Sequence, residues 1–172
     1  MKHFPLFIDI NDKTILVVGG GKIASRRIAT LLQFGCKILV IAPELCDDLK
    51  QLTEQGIIDW EPVFWEVNNH KPECNDQVLS STTLEYTDFK NFFMVLGCTD
   101  CRDVNHDIYT KAKAAGILVN VCDCKEECDF YFPAVIQSGD VTVGLTANGT
   151  DHKLARRTAD KIRALLKRNE HL

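Results

Sequence analysis

The sequence predicts an α/β fold built on a parallel sheet, and three observations carry that prediction. Continuous apolar runs of strand length, Thr14-Ile15-Leu16-Val17-Val18 and Lys37-Ile38-Leu39-Val40-Ile41-Ala42, alternate with segments of helical periodicity. Three glycines, Gly19-Gly20-Gly21, stand between the first strand and the first helix. From Phe130 onward the alternation stops, and two strands follow one another with no helix between them. The first two features describe a Rossmann-type βαβ start; the third describes a short β region appended to the sheet and followed by a C-terminal helix.

In the first helix Ala24, Ile28, Leu31 and Leu32 recur at helical spacing, and Gly35 ends the pattern. The second strand is closed by Pro43, and a polar helix over Glu44–Gln55, a strand over Ile57–Phe64 and an irregular polar stretch from Asn68 to about Lys90 follow. A strand over Phe92–Gly97, a helix over Asp103–Ala115 and a strand over Ile117–Cys122 complete the alternation. Strands over Phe130–Ile136 and Val141–Thr146 are joined through Gln137-Ser138-Gly139-Asp140, and Thr150 or Asp151 caps a last helix carrying Leu154, Ala155, Ile162, Leu165 and Leu166. The expected division is a nucleotide-binding domain over residues 1–124, a strand region over 125–149 and the start of a helical region over 150–172. Two strands leaving an α/β sheet expose an edge, and pairing with a twofold mate covers it, so a homodimer is expected.

Composition narrows the function. A chain of 172 residues has room for one domain and a small appendage, and 45% apolar with 26% charged residues suits a globular core. Twenty Lys and Arg against 24 Asp and Glu, a net charge of −4, argue against a dedicated nucleic-acid binder. The start MKHFPLFIDI lacks a signal peptide's apolar region and cleavage site, no apolar run has the length of a membrane span, and a cytoplasmic protein is expected. Its eight cysteines should then stay reduced. Cys98, Cys101, Cys122, Cys124 and Cys128 lie close in sequence and raise metal binding, but Cys122-x-Cys124-xxx-Cys128 is not a standard second half for the Cys98-xx-Cys101 pair. Small apolar thiols are the favoured reading, and no metal ligand is assigned.

Gly19-Gly20-Gly21-Lys22-Ile23-Ala24 fits the G-x-G-x-x-G/A pattern between a strand and a helix. Gly19 would allow the tight turn, Gly21 would let the backbone approach a pyrophosphate at the helix N-terminus, and Ala24 would let helix and strand pack closely. The alternative is a glycine turn that merely packs. The acid that usually holds the ribose at the end of the second strand is replaced by Ile41-Ala42-Pro43-Glu44, with Glu44 serving only if the turn carries it back. No Arg waits there for a 2′-phosphate, which favours NAD over NADP. Cofactor contacts are therefore expected from Gly19, Gly20, Gly21, Lys22, Ile23, Pro43, Glu44 and Thr99.

Asp100 and Asp123 follow the fourth and fifth strands, at the edge where open α/β sheets bind ligands; either is also a plausible turn cap. The last helix carries Lys153, Arg156, Arg157, Lys161, Arg163, Lys167 and Arg168 against Asp160 and Glu170. Such a face is ordinarily solvated, but it also suits a polyanionic substrate.

Pro5-Leu6-Phe7, the glycine loop, Val40-Ile41-Ala42-Pro43, Thr99-Asp100, Asn105, Asn120-Val121-Cys122-Asp123, Phe130-Tyr131-Phe132-Pro133-Ala134 and Leu154-Ala155-Arg156 occur in an order that resembles the precorrin-2 dehydrogenases, including the N-terminal module of siroheme synthase. The resemblance covers essentially the whole chain. It implies NAD-dependent oxidation of precorrin-2 to sirohydrochlorin, with iron insertion in some members, on a Rossmann domain followed by a dimerisation region. It nominates Asp123 as the catalytic carboxylate and places Asn148, Lys153 and Arg156 among the contacts to the substrate's acetate and propionate groups. Hydride loss from the macrocycle must accompany proton loss, which a carboxylate can accept. The chain departs from the pattern in three places: it ends at Leu172 where the family continues into a helical region, it reads Thr146-Ala147-Asn148-Gly149-Thr150-Asp151-His152 in place of the family's Ser/Thr-rich Gly-Gly turn, and it has cysteines at 98, 101, 122 and 124. Two other classes compete: a non-catalytic NAD-sensing module, which usually has Asp after the second strand, and a metal-inserting or metal-chaperone protein built on the cysteine crevice.

Overall fold

The computed structural model describes residues 4–67, 89–147 and 151–169, and the polypeptide forms two compact units, Asp9–Phe130 and a second made of Met1–Ile8 with Tyr131–Leu172. The larger unit holds a five-stranded parallel sheet in the order β3-β2-β1-β4-β5. Its strands are β1 (Thr14–Val18), β2 (Lys37–Ile41), β3 (Asp59–Glu61), β4 (Met94–Gly97) and β5 (Leu118–Val121). β1 is central, with Val18 in register with Ile41 on one side and Gly97 on the other. Because β1 leads through α1 (Lys22–Leu31) to β2 on one side and β4 lies on the other, the strand order reverses beside β1. That reversal opens a crevice at the carboxyl ends of β1 and β4.

The expected order of elements is observed, and the differences lie at element ends. α1 passes into a 3-10 turn over Leu32–Phe34, and Gly35 takes a left-handed φ of 71° to end it. α2 (Asp47–Glu54) starts three residues later than its polarity suggests, because Glu44 and Leu45 pack on the glycine loop and Cys46 becomes the N-cap. β3 has three residues where eight were expected, since Pro62 has no N–H to continue the ladder. α3 (Arg102–Ala115) ends at Gly116, also left-handed. Most of the irregular stretch Asn68–Lys90 lies outside the described residues.

The core is made by the strands themselves: Ile15, Leu16, Val17, Val40, Val95, Leu96 and Val119 are fully buried, as strands covered on both faces require. On the α3 side, Leu16, Val95 and Val119 meet Val104, Ile108 and Ala112, with Trp65 and Phe89 in an edge-to-face pair of centroid distance 5.8 Å. Trp65 donates its indole N–H to Asp107 at 2.7 Å, and the Lys111 ammonium lies 5.2 Å above its ring.

The chain after β5 folds back along that edge strand. Asp129 N–H donates to the Val119 carbonyl at 2.8 Å, and its carboxylate accepts from the Val119 N–H at 3.1 Å and from Lys113 at 2.6 Å. Asn120 donates to the Phe130 carbonyl at 2.7 Å.

In the smaller unit β6 (Ala134–Ser138) and β7 (Val141–Leu145) form an antiparallel hairpin, turned by Gly139 at φ 53°. β6 begins only after Pro133, later than the Phe130 start expected, because Pro133 cannot donate to a ladder. α4 (His152–Asn169) follows, with the Asp151 carboxylate accepting from the Leu154 N–H at 2.8 Å as its N-cap; Thr150, the other candidate, lies outside the described residues. Arg163 donates to the Val135 carbonyl at 3.1 Å and ties the helix to the hairpin.

Candidate functional site

The glycine loop is built by crowding from two directions. A Cβ on Gly19 would stand 2.5 Å from the Cys98 carbonyl oxygen, and its φ of 115° disfavours any side chain. A Cβ on Gly20 would stand 2.0 Å from the Glu44 carbonyl oxygen. The Cys46 N–H donating to the Gly20 carbonyl at 2.8 Å locks the same contact. A Cβ on Gly21 would meet none of the described residues within 4 Å. Gly19 and Gly20 are thus demanded by the protein's own packing, while Gly21 faces open space and caps α1 without any side-chain hydrogen bond.

No acidic residue stands in the first turn of α1, and Lys22 and Ile23 are exposed there. A helix N-terminus with aligned N–H groups, an open approach and a cation in its first turn suits a pyrophosphate. Ala24 is fully buried and lets α1 lie close to the sheet. Pro43 is half-buried, and Glu44 is exposed with its backbone against Gly20, at the end of β2 where a ribose-binding acid belongs. These residues fit a dinucleotide.

Thr99 lies beyond the end of β4 and is fixed by Asn105, a fully buried residue of α3. Asn105 donates to the Thr99 carbonyl at 3.0 Å and accepts from the Thr99 hydroxyl at 2.8 Å and N–H at 3.2 Å. Asn105 is more than a family marker: it holds the loop at the crevice, which the six-residue spacing from Thr99 allows on a helix that starts at Arg102.

The thiols occupy the same edge, and among the described residues no group of three or more His, Cys, Asp or Glu side chains is arranged to hold an ion. Cys101 is buried in the core as N-cap of α3. Cys98 is buried and accepts from the Arg27 guanidinium at 3.4 Å. Burial pushes its thiol up to about 11 against the opposing pull of Arg27, so it is a neutral thiol at pH 7. Burial likewise raises the thiols of Cys122 and Cys128.

Asp123 stands two residues past β5, its side chain 30% exposed at the carboxyl edge of the sheet. Its Oδ1 accepts from Arg102 Nη1 at 3.2 Å. Arg102 also pairs with Glu127, and His106 Nδ1 lies 2.8 Å from the same Glu127 oxygen. Arg102, His106 and Glu127 had no local signal in the sequence, because the loop after β5 brings Glu127 back to α3 from 21 residues beyond His106.

In the smaller unit Arg156 lines a cavity of about 210 Å³ with Tyr131, Phe132, Asp151 and Arg163. Lys153 is exposed near the start of α4, outside that lining. Asn148 lies outside the described residues.

Residues 6–134 match the model of a family described as "Putative NAD(P)-binding". The "Probable multifunctional siroheme biosynthesis protein HemA" of Ruminiclostridium josui is 37% identical over 164 residues, covering 95% of this chain and 28% of that protein. The "Siroheme synthase" of Photorhabdus laumondii subsp. laumondii is 33% identical over 166 residues, covering 96% of this chain and 31% of that protein. The chain thus spans about a third of the length of these relatives. A solved structure titled "SirC, precorrin-2 dehydrogenase" superposes with a TM-score of 0.72 at 22% identity, covering 94% of this chain and 70% of that one, and so shares the fold. The glycine turn at a topological switch point and the match over residues 6–134 lead to one assignment: the chain belongs to this NAD(P)-binding family.

Proposed function

We propose that this protein is an NAD-dependent dehydrogenase that oxidises precorrin-2 to sirohydrochlorin in siroheme synthesis. The observation that carries the reading is the placement of an open glycine cradle on β1 and the Asp123 carboxylate beyond β5 at one edge of one sheet. The relatives named for siroheme synthesis supply the substrate class. NAD, when bound, supplies the hydride acceptor. Gly21 admits the pyrophosphate, with Gly19, Gly20, Lys22 and Ile23 forming the turn around it. Thr99 lines the nicotinamide side of the crevice, and Pro43 and Glu44 border the ribose. Asp123 takes the proton that leaves the macrocycle as its hydride departs, which balances the two-electron oxidation. Asn148, Lys153 and Arg156 meet the substrate's carboxylates; Arg156 offers a fork of N–H donors suited to a carboxylate. The working form is a cytoplasmic homodimer assembled through the segment from Phe130 to Thr146.

The test is Asp123→Asn, which keeps size and most hydrogen bonding while removing the base. Turnover of precorrin-2 should fall by at least about 10²-fold with NAD affinity nearly intact. Near-wild-type oxidation by this variant would falsify the assignment, and loss of cobalt or iron insertion alone would make Asp123 a residue of metal insertion.

A further inference from the structure

Asp123 is held from outside its own loop. Arg102 opens α3 and directs Nη1 to Asp123 Oδ1 at 3.2 Å, while its Nη2 grips Glu127 Oε1. His106, one turn further along α3, places Nδ1 2.8 Å from that same Glu127 oxygen. The four side chains form one continuous chain, His106 to Glu127 to Arg102 to Asp123.

Its two carboxylates differ. Glu127 is 15% exposed, its Oε2 is buried and unpartnered, and Arg102 and His106 converge on Oε1. Burial raises the pKa of that carboxyl, yet the hydrogen bonds and charges of Arg102 and His106 outweigh it and leave it below the usual carboxylate value. Glu127 is therefore an anchored anion, and it fixes the guanidinium. Asp123 is 30% exposed at the crevice edge. A planar guanidinium gripped through one nitrogen has little freedom left in the other, so it dictates where the Asp123 carboxyl points.

We infer that Arg102 is a positioning residue, fixed by Glu127 and His106, that holds Asp123 Oδ1 and so presents Oδ2 to the reacting proton. The inference rests on the assignment of Asp123 as the proton acceptor. Proton transfer is steep in geometry, and a displacement of about 1 Å can cost on the order of 10²-fold in rate.

The experiment is a double-mutant cycle on precorrin-2 oxidation with Arg102→Gln and Asp123→Asn. Arg102→Gln alone should lower kcat by roughly 10-fold to 10²-fold, with KM for precorrin-2 and Kd for NAD changed by less than about 2-fold. In the Asp123→Asn background the same substitution should cost less than about 2-fold, because the group it positions is already gone. Arg102→Lys keeps the charge but cannot span both carboxylates as a rigid fork, so its kcat should fall between wild type and Arg102→Gln; it also serves if the Gln variant fails to fold. Free guanidinium should restore part of the turnover of Arg102→Ala, which a purely structural lesion would not permit. Equal losses from Arg102→Gln in both backgrounds would overturn the inference by making Arg102 independent of Asp123. Wild-type kcat for Arg102→Gln beside a slow Asp123→Asn overturns positioning alone; wild-type kcat for Asp123→Asn overturns both readings.

Discussion

Three adjacent glycines answer two different demands. Gly19 and Gly20 are glycine because carbonyl oxygens of Cys98 and Glu44 occupy the volume a Cβ would need, whereas a Cβ on Gly21 would meet none of the described residues within 4 Å, which leaves room for the proposed pyrophosphate. Substitution separates the two. Gly20→Ala forces overpacking against backbone and should destabilise the fold by about 1–3 kcal/mol, read in a urea melt. Gly21→Ala should leave the melt within about 0.5 kcal/mol while weakening NAD in calorimetry, and Gly21→Asp should weaken it further by adding charge where the pyrophosphate approaches. The demand on Gly19 was legible because backbone conformation is a property of a single position. The role of Gly20 was not, since its contact, the Glu44 carbonyl, arrives 24 residues later and only after β2 and its turn are in place. Arg102, His106 and Glu127 were hidden for the same reason: ion pairs made by a returning loop have no periodicity to read.

Among the elements, the order of helices and strands followed from alternating apolar runs, and the misjudged ends share one cause. Pro62 and Pro133 stop ladders that hydropathy alone would continue, and Glu44 and Leu45 spend what looked like a first helical turn on packing. The carboxyl ends of β4 and β5 carry a consequence for pH. The thiols of Cys98 and Cys122 beside those ends, with Cys36 and Cys128, all have pKa values raised chiefly by burial. A raised thiol is stabilising while both states stay protonated, so the contribution is complete below the unfolded value of about 8.5 and is lost as pH rises toward the folded values. The Cys98 thiol sets the upper end of that window near 11. Chemical-denaturation midpoints should fall steadily from pH 8 upward, and replacing Cys98 with Ala should flatten the decline; a flat profile in the parent protein would count against the burial of these thiols.

For the whole molecule, the two units pose different stability problems. The larger has a buried five-stranded sheet, whereas the smaller has one hairpin and one helix, and two strands alone are marginal in water. It also exposes large apolar side chains: Phe4 is 86% exposed, Leu6 and Phe7 each 71%, and Leu165 60%. Burying such side chains would favour the proposed homodimer, so light scattering at micromolar concentration should give twice the chain mass. Adding charge with Phe7→Glu and Leu165→Glu should shift that reading to the single chain. A monomer in the unmodified protein would contradict the assembly.

The return of the chain after β5 decides how molecules of this kind can meet. By occupying the N–H and carbonyl of Val119, Asp129 takes from that flank of the sheet the groups an incoming strand would pair with there. The opposite flank is β3, three residues long and terminated by Pro62. A sheet stoppered at Val119 on one flank and blunted at Pro62 on the other resists strand addition by a neighbour, the step that would template a fibril. Crowded copies of this sheet should therefore stay free of edge-to-edge stacking.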